Sequence, residues 1–314
     1  MRDLNSLRVF VRVAEARSFS AAARQLGLTA SGVSKAVSRL EQEFGVPLLQ
    51  RTTRSVALTA EGRVFHERVR HLLSDLEMAE DQLTQSARHL RGSLRVQMPL
   101  GFGRKVVLPA LTRALSRHPD LTVDVELGER GVDVIEEGFD AVIRFGSLPD
   151  SGLLARRLCD IRFVPCAAPA YLARYGAPSV PADLAQHACL GYASLWQGHY
   201  RPWIFRESGM LVSREIAGQL NVNSAESLLE IAMAGAGIAM IGDFVAHDAI
   251  RSGRLNVVLQ AFVAPPTQVS VLYSPARQRS PRLRWFLEML ADAVPDPAPW
   301  ADILTHGSCV PHAP

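Results

Sequence analysis

Short hydroxyl-bearing and cationic side chains recur between residues 20 and 39 of this 314-residue chain, and most of them would share one helix face. Serine hydroxyls and Lys or Arg cations can donate hydrogen bonds to phosphate oxygens and to base edges in a major groove. The candidates for such contacts are Ser20, Ser31, Ser34, Lys35, Ser38 and Arg39. For Ser31 and Ser34 the alternative is a merely solvated face. Two further cations, Arg51 and Arg54, flank a polar turn and would lie beside the DNA backbone or in the neighbouring minor groove.

A second group of residues could bind a small anion. Leu100, Gly101, Phe102 and Gly103 follow a short strand and open a helix, where the N-terminal end of the helix favours a carboxylate. The two glycines allow close approach of a ligand to the backbone. Arg144 ends a later strand and is a candidate counter-charge, with a structural salt bridge as the alternative.

Two aromatic residues, Trp203 and Phe205, could form an apolar wall for the same ligand. Packing in a domain core is the alternative for both.

Three short helices would position the first group. Ser18 and Thr29 are predicted N-caps of the second and third helices, and Gly27 and Gly45 are their predicted left-handed ends. The small residues 21–23 let the second helix approach the third closely.

The region 46–59 is predicted to form two short strands around a basic turn. Residues 1–59 are therefore predicted to be a winged helix-turn-helix domain, with the helix-turn-helix at about residues 19–38.

A long linker helix is predicted over residues 60–91, because residues 63–91 contain neither Gly nor Pro. Its apolar positions alternate at spacings of four and three, the 3.5-residue period of a coiled coil. We predict dimerisation through Phe65, Val69, Leu72, Leu76 and Leu83; the alternative is a helix packed on its own domain.

From residue 92 to 294, strands alternate with helices, which is typical of mainly parallel sheets covered on both faces. A sensor domain of this size usually has two lobes with a cleft between them. We place one lobe at about 92–162 plus 267–294 and the other at 163–266. The Pro- and Ala-rich segment 295–314 is predicted to be a flexible tail.

Charge is unevenly distributed along the chain. Residues 1–59 hold nine Lys or Arg against four Asp or Glu, whereas the rest carries a small negative surplus under an overall net charge of +3. A basic head suits a partner with phosphate charges, although so small a surplus could arise by chance. The first ten residues are too polar for a signal peptide, and no long apolar run is present. The four cysteines form no disulfide framework, so we expect a cytoplasmic protein without membrane partners.

Other classes of protein have little support. The chain lacks the G-x-S-x-G, H-E-x-x-H and P-loop motifs, and its nine histidines lack ligand spacing, so we predict no enzyme, no metal site and no cofactor. A free solute-binding protein would need an export signal and no helix-turn-helix. A redox sensor using Cys159 and Cys166 is a narrower alternative, although the apolar run around Cys166 argues for burial.

The sequence closely resembles the LysR-type transcription regulators. The motifs that carry the resemblance in the first 62 residues are Phe10-Val11, Ala14-Glu15, Ser18-Phe19-Ser20, Ala22-Ala23, Leu26, Ser34, Leu40-Glu41, Gly45, Leu48, Arg51, Arg54, Leu58-Thr59 and Gly62. Those that resemble the family's effector domain are Gly92-Ser93-Leu94-Arg95, Pro99, His118-Pro119, Asp140, Ile143-Arg144-Phe145-Gly146, Ala168-Pro169-Ala170-Tyr171-Leu172 and Gly235-Ala236-Gly237-Ile238-Ala239.

The resemblance implies an α/β protein overall: a winged helix-turn-helix, a linker helix and a two-lobed, periplasmic-binding-protein-like effector domain. It implies dimers through the linker helix, commonly tetramers, and ligand contacts at the turn after the first strand and at Asn223 and Ser224. We expect double-stranded DNA with a partly palindromic operator, a small effector and, for an activator, RNA polymerase as partners. Leu49 and Gly242 replace residues more common in relatives, Phe and Pro, and the second change removes a rigid turn at the edge of the expected cleft.

Overall fold

The computed structural model describes residues 4–51, 56–84, 90–148, 151–194, 199–216 and 218–306. The chain divides into two compact units, which meet in sequence near residue 88. The N-terminal unit consists of α1 (Leu4–Ala16), α2 (Phe19–Leu26), α3 (Ala30–Phe44), β1 (Leu49–Arg51), β2 (Val56–Leu58) and the long helix α4 (Ala60–Thr84).

The predicted ends of α2 and α3 are confirmed. The Ser18 hydroxyl accepts a hydrogen bond from the Ala21 amide at 3.3 Å, and the Thr29 hydroxyl accepts one from the Gly32 amide at 3.1 Å. Gly27 ends α2 at φ +64° and Gly45 ends α3 at φ +69°, conformations that L side chains rarely adopt. Local sequence therefore determines where these helices begin and end.

The core of the N-terminal unit lies among α1, α2 and α3. Its fully buried side chains include Phe10, Val33 and Val37, and the small residues Ala22 and Ala23 are buried as well. Small side chains on α2 let the helices approach closely. Because Val33 and Val37 on α3 face this core, the opposite face of α3 is exposed to solvent.

The wing is attached to this core by polar contacts. Strands β1 and β2, which form the wing, pair antiparallel. One side-chain oxygen on α3, Glu41 Oε1, accepts two hydrogen bonds, from the amides of Leu48 at 2.9 Å and Leu49 at 3.0 Å. At the start of α4 the Thr59 hydroxyl accepts the Gly62 amide at 2.8 Å. A Cβ at Gly62 would lie 1.9 Å from the Leu48 carbonyl oxygen, so only glycine fits there.

The first turns of α4 pack on the domain from which they emerge, and this corrects part of the predicted dimer seam. Val69 is 3% exposed in the core, and Phe65 packs against Phe10 and Phe44 at ring-centroid distances of 5.5 and 4.8 Å. Helix α1 occupies the position expected for a partner helix, so Phe65 and Val69 have little surface left for a second chain. In contrast, Leu72 is 65% exposed.

The C-terminal unit contains two main sheets. The first has the order β4-β3-β5-β15-β6, in which β3 runs parallel to β4 and β5 while β15 runs antiparallel to β5 and β6. Its strands are β3 (Gly92–Met98), β4 (Leu121–Leu127), β5 (Ala141–Phe145), β6 (Leu154–Ile161) and β15 (Thr267–Tyr273). Its helices are α5 (Leu100–Phe102), which continues through a π-helical stretch (Gly103–Val107) into α6 (Leu108–Leu115), and α10 (Pro281–Ala293).

The second sheet has the order β12-β8-β13-β7-β14, with β9 paired to β8. Its strands are β7 (Phe163–Ala167), β8 (Cys189–Ser194), β9 (His199–Tyr200), β12 (Leu220–Val222), β13 (Ile238–Gly242) and β14 (Asn256–Val257). A separate antiparallel hairpin is formed by β10 (Trp203–Glu207) and β11 (Met210–Arg214). The helices of this lobe are α7 (Pro169–Tyr175), α8 (Ala225–Met233) and α9 (Asp243–Arg251).

The chain passes between the two sheets at a short, anchored crossing. A single residue, Arg162, separates β6 from β7. Its amide donates to Asp243 Oδ2 at 2.8 Å, and its carbonyl accepts the Asp243 amide at 2.7 Å. The second crossing, between β14 and β15, returns the chain to the first sheet. Two backbone connections therefore join the lobes.

The predicted flexible tail is wrong for residues 295–306. Trp300 is 6% exposed and Ile303 is 1% exposed, because both pack into the main core of the C-terminal unit. The Trp300 indole N–H donates to the Asp160 carbonyl at 3.1 Å, and a last short helix, α11 (Ile303–His306), lies against α9. The prediction followed the Pro- and Ala-rich composition and overlooked two large apolar side chains in this segment, Trp300 and Ile303. Residues 307–314 lie outside the described residues.

Candidate functional sites

One face of α3 carries the predicted DNA-contacting residues. Ser31, Lys35 and Arg39 are exposed, and Ser34 and Ser38 are partly exposed, whereas the opposite face packs in the core. Ser20, at the start of α2, is also exposed. The Arg39 side chain is 73% exposed and contacts Glu43 at 3.3 Å, an ion pair too exposed to hold it firmly. The arginine is therefore available to another partner.

The wing residues are less fully described. Arg51 ends β1, but its side chain and the whole of Arg54 lie outside the described parts of the structure. Their role as DNA contacts stays a prediction.

The predicted dimer residues beyond the first turns of α4 differ in surroundings. Leu72 is exposed and Leu76 partly exposed, while the side chain of Leu83 lies outside the described residues. An apolar side chain as exposed as Leu72 on a long helix suits a helical partner.

The turn after β3 divides into an accessible half and a buried half. Leu100 and Gly101 are partly exposed, and a Cβ at Gly101 would lie 3.5 Å from the Ala225 side chain in the other lobe. In contrast, Phe102 is completely buried among aromatic rings of the core. A Cβ at Gly103 would lie 2.4 Å from the Leu127 side chain, so this glycine permits packing within the lobe. The prediction of Phe102 and Gly103 as effector contacts is therefore wrong.

Arg144 is already held by neutral groups of its own lobe. Its guanidinium donates to the Gln97 side-chain oxygen, to the Ile143 carbonyl at 3.1 Å and to the Arg130 carbonyl at 3.3 Å. These bonds orient the cation at the carboxyl end of β5. A role as effector counter-charge stays a prediction for this part-buried guanidinium.

Trp203 is 2% exposed and Phe205 is completely buried in the core of the second lobe, against each other and Leu259. Neither residue therefore forms the predicted apolar wall. The alternative stated for both residues, core packing, is confirmed.

Asn223 and Ser224, the predicted effector contacts before α8, are exposed and partly exposed, respectively. The Ser224 hydroxyl caps the helix by accepting the Ser227 amide at 3.2 Å. The same hydroxyl donates to Glu226 Oε2 at 3.0 Å. Ser224 thus orients a carboxylate in the first turn of the helix.

A polar cluster that joins the two lobes was not predicted from the sequence. Arg201 Nη2, in the second lobe, lies 3.0 Å from both carboxylate oxygens of Glu129, which follows β4 in the first lobe. The Tyr192 hydroxyl donates to Glu129 Oε1 at 2.9 Å. Burial, and then the Glu129 charge, raise the pKa of Tyr192, so this hydroxyl stays protonated and remains a donor. The three residues are up to 72 positions apart and belong to no motif, so no sequence signal could have found them.

The cysteines proposed for redox sensing are buried. Cys159 is 8% exposed and Cys166 is completely buried. Burial raises the pKa of both thiols to about 12, and the nearby Asp243 adds to the shift at Cys159. A reactive sensor thiol needs a low pKa and access to oxidant, so this geometry opposes the redox alternative.

Two searches of the described residues were negative. No group of three or more potential metal ligands occurs among them. None of the helices within those residues is both long and apolar enough to cross a bilayer.

A helix-turn-helix with an exposed polar face in one unit and a two-lobed α/β domain in the other are typical of a DNA-binding regulator with a ligand-sensing domain. Family comparisons agree with this class. Residues 4–63 match the bacterial regulatory helix-turn-helix protein, lysR family, and residues 87–295 match the LysR substrate binding domain. The chain therefore belongs to the LysR family of transcription regulators.

Individual relatives extend over most of the chain. The uncharacterized HTH-type transcriptional regulator YhjC of Escherichia coli K12 is 36% identical over 291 residues, covering 93% of this chain and 97% of that protein. The HTH-type transcriptional activator AaeR of the same organism is 34% identical over 274 residues, covering 87% and 88%. The solved structure of CrgA, a LysR-type transcriptional regulator from Neisseria meningitidis, has a TM-score of 0.60 at 32% identity and covers 93% of this chain and 99% of that one.

These findings identify the chain as a DNA-binding transcription regulator with a substrate-binding effector domain and not as an enzyme. They also confirm the predicted fold, including a periplasmic-binding-protein-like effector domain.

Proposed function

We propose that the protein binds a partly palindromic operator as a homodimer or a pair of dimers. The observation that carries this proposal is the exposed row Ser31, Lys35 and Arg39 on a helix whose opposite face is buried. Two such helices, joined through the exposed apolar side of α4, would enter successive major grooves about one helical turn apart. The cations would supply sequence-independent affinity, and the hydroxyls would contact base edges.

The effector is proposed to bind between the lobes, where the accessible residues Leu100, Gly101, Asn223 and Ser224 remain candidates together with Arg144. A ligand with different affinity for two arrangements of the lobes would shift their populations. That shift would alter the placement of the DNA-binding units and the bend of the operator.

For an activator, RNA polymerase would be the further partner, a proposal supported by the name of the related activator AaeR. Since its target is the chromosome, we place the protein in the cytoplasm.

The test of DNA binding uses the purified full chain and labelled duplexes from the region upstream of its own gene. We expect a concentration-dependent shift at low ionic strength, a footprint on both half-sites, and a dimer or tetramer by analytical ultracentrifugation. A duplex of the same composition in scrambled order is the control. A strict monomer that ignores both duplexes would overturn the proposal.

A further inference from the structure

The two lobes contribute different groups to the cluster of Glu129, Tyr192 and Arg201. Tyr192 and Arg201 both belong to the second lobe, where the Arg201 amide donates to the Tyr192 carbonyl at 2.8 Å. Glu129 is the one member that the first lobe contributes. The donors therefore sit together on one lobe, and the carboxylate that they bind comes from the other.

Aromatic rings hold the guanidinium in place. The Arg201 Cζ atom lies 4.5 Å from the centre of the Tyr192 ring and 5.0 Å from the centre of the Phe163 ring. A planar cation packed between rings keeps its donors directed and loses little freedom when an anion binds. Arginine with a tyrosine hydroxyl beside it suits a carboxylate, which accepts bonds at both oxygens.

The cluster is reachable and is not fully satisfied. The side chains of Arg201 and Glu129 are 33% and 24% exposed, so solvent and solutes have access to their ion pair. Nearby, Glu226 Oε1 is buried without a hydrogen-bond partner, and Arg104 Nε lies 3.7 Å from it. Glu226 is close enough for its charge to act on Tyr192. A buried carboxylate oxygen without a donor is costly, and a ligand donor would satisfy it.

We infer that Arg201 and Tyr192 are the anion-binding point of the effector site and that Glu129 occupies this point as an internal substitute. The effector is then a small carboxylate that displaces Glu129 from Arg201 and offers an N–H or O–H group to Glu226. Displacement breaks a contact between the lobes and so changes their arrangement. This inference rests on the proposed function, in which the cleft binds an effector.

The test removes the internal carboxylate and measures binding of external ones to the full chain. The probes are acetate and benzoate, each compared with its neutral amide, acetamide or benzamide, at constant ionic strength by ligand-observed NMR. In Glu129→Gln the guanidinium loses its charged competitor, so we expect carboxylates to bind at least about tenfold more tightly than in the unchanged protein. The gain should vanish in the double variant Glu129→Gln with Arg201→Gln, and the amides should not bind.

A matched control is available within the second lobe, which also holds Arg201. Glu207→Gln breaks another two-point Arg–Glu pair, in which Arg214 Nε and Nη2 each lie 2.9 Å from a Glu207 oxygen, at similar exposure. We expect no gain in carboxylate binding there. Equal binding in Glu129→Gln, the double variant and Glu207→Gln would overturn the inference, as would equal binding of amides and carboxylates.

The measurements distinguish failure of the anion site from failure of the proposed DNA-binding function. Each variant is also tested on the upstream duplex, and its melting temperature is compared with that of the unchanged protein. Intact DNA binding without a gain in carboxylate binding would overturn only the anion site. Absence of DNA binding by the unchanged protein would overturn the proposed function.

Discussion

At the scale of single residues, Arg39 shows how a surface cation is kept available. Its ion pair with Glu43 is exposed on both sides, and such pairs contribute little stability. Leaving Glu43 would therefore cost Arg39 little stability.

Replacing Arg39 with Ala should weaken binding to all duplexes and lower the slope of log affinity against log salt by about 0.9, because one phosphate contact is lost. Fluorescence anisotropy over a salt series measures this slope. Arg12→Ala is the control, because Arg12 is an exposed cation on α1 with a similar pair to Glu15. An unchanged slope in Arg39→Ala would remove this residue from the phosphate contacts.

His66 on α4 makes the stability of the N-terminal unit depend on pH. Burial, and then the charge of Arg70, lower the pKa of His66 to about 4, below the usual 6.5, and its Nε2 atom is buried without a hydrogen-bond partner. The folded state therefore favours the neutral ring. The unfolded chain takes up a proton first as pH falls, so the stability that this group contributes is present above about pH 6.5 and is lost toward about pH 4.

We expect the melting temperature of the N-terminal unit to fall between about pH 7 and about pH 5, and His66→Phe to reduce this fall. Circular dichroism at a series of pH values measures it. His118→Phe, which changes a histidine of the other unit, is the control. An identical pH dependence in His66→Phe and the unchanged protein would contradict the expectation.

At the scale of elements, two sides of α4 have different surroundings. Its first turns close the core of the N-terminal unit through Phe65, Val69 and Leu73, and Leu72 lies on the outer side. The repeat of 3.5 residues could not distinguish packing on α1 from packing on a second chain, since either partner is a helix.

Replacing Leu72 with Lys should weaken dimers, raising the dissociation constant by roughly tenfold or more, because a cation would enter an apolar seam. Sedimentation equilibrium measures the constant. Val64→Lys is the matched control, since Val64 is equally exposed, at 65%, but lies off the repeat. Equal weakening by the two variants would contradict the assignment of the seam.

How much the sequence could predict depended on the range of the interaction. The caps Ser18, Thr29, Gly27 and Gly45 were predictable because each acts on residues within a few positions. Phe102 and Trp203 were misassigned because periodicity and position at a strand end do not reveal what covers a side chain. The pair Glu129–Arg201 was invisible because only the folded chain brings its members together.

The same limit applies to strand β6. The sequence LARRLCDI of β6 carries charged residues in its middle, where a buried parallel strand would be apolar. As an edge strand paired only with β15 it tolerates Arg156 and Arg157 toward solvent.

At the scale of the whole molecule, the C-terminal segment packs against both lobes. Trp300 packs against Phe102 of the first lobe and Phe244 of the second, at ring-centroid distances of 6.4 and 6.1 Å. A Trp300→Ala variant should lose about 3–5 kcal/mol of stability in the C-terminal unit, a typical cost for removing a buried aromatic side chain.

Urea unfolding followed by tryptophan fluorescence and circular dichroism measures this loss. Asp302→Ala changes an exposed residue of the same segment and is the control, expected to stay within about 0.5 kcal/mol of the unchanged protein. A loss no larger in Trp300→Ala than in this control would show that the segment adds nothing to the fold.

The match to the substrate binding domain ends at residue 295, five residues before Trp300. A sensor fragment cut at that boundary would leave the rings of Phe102 and Phe244 open to water, and fragments with such newly bared apolar surface tend to aggregate. Anyone expressing the sensor alone should therefore carry the chain through His306, and should place any purification tag beyond that residue or at the opposite terminus.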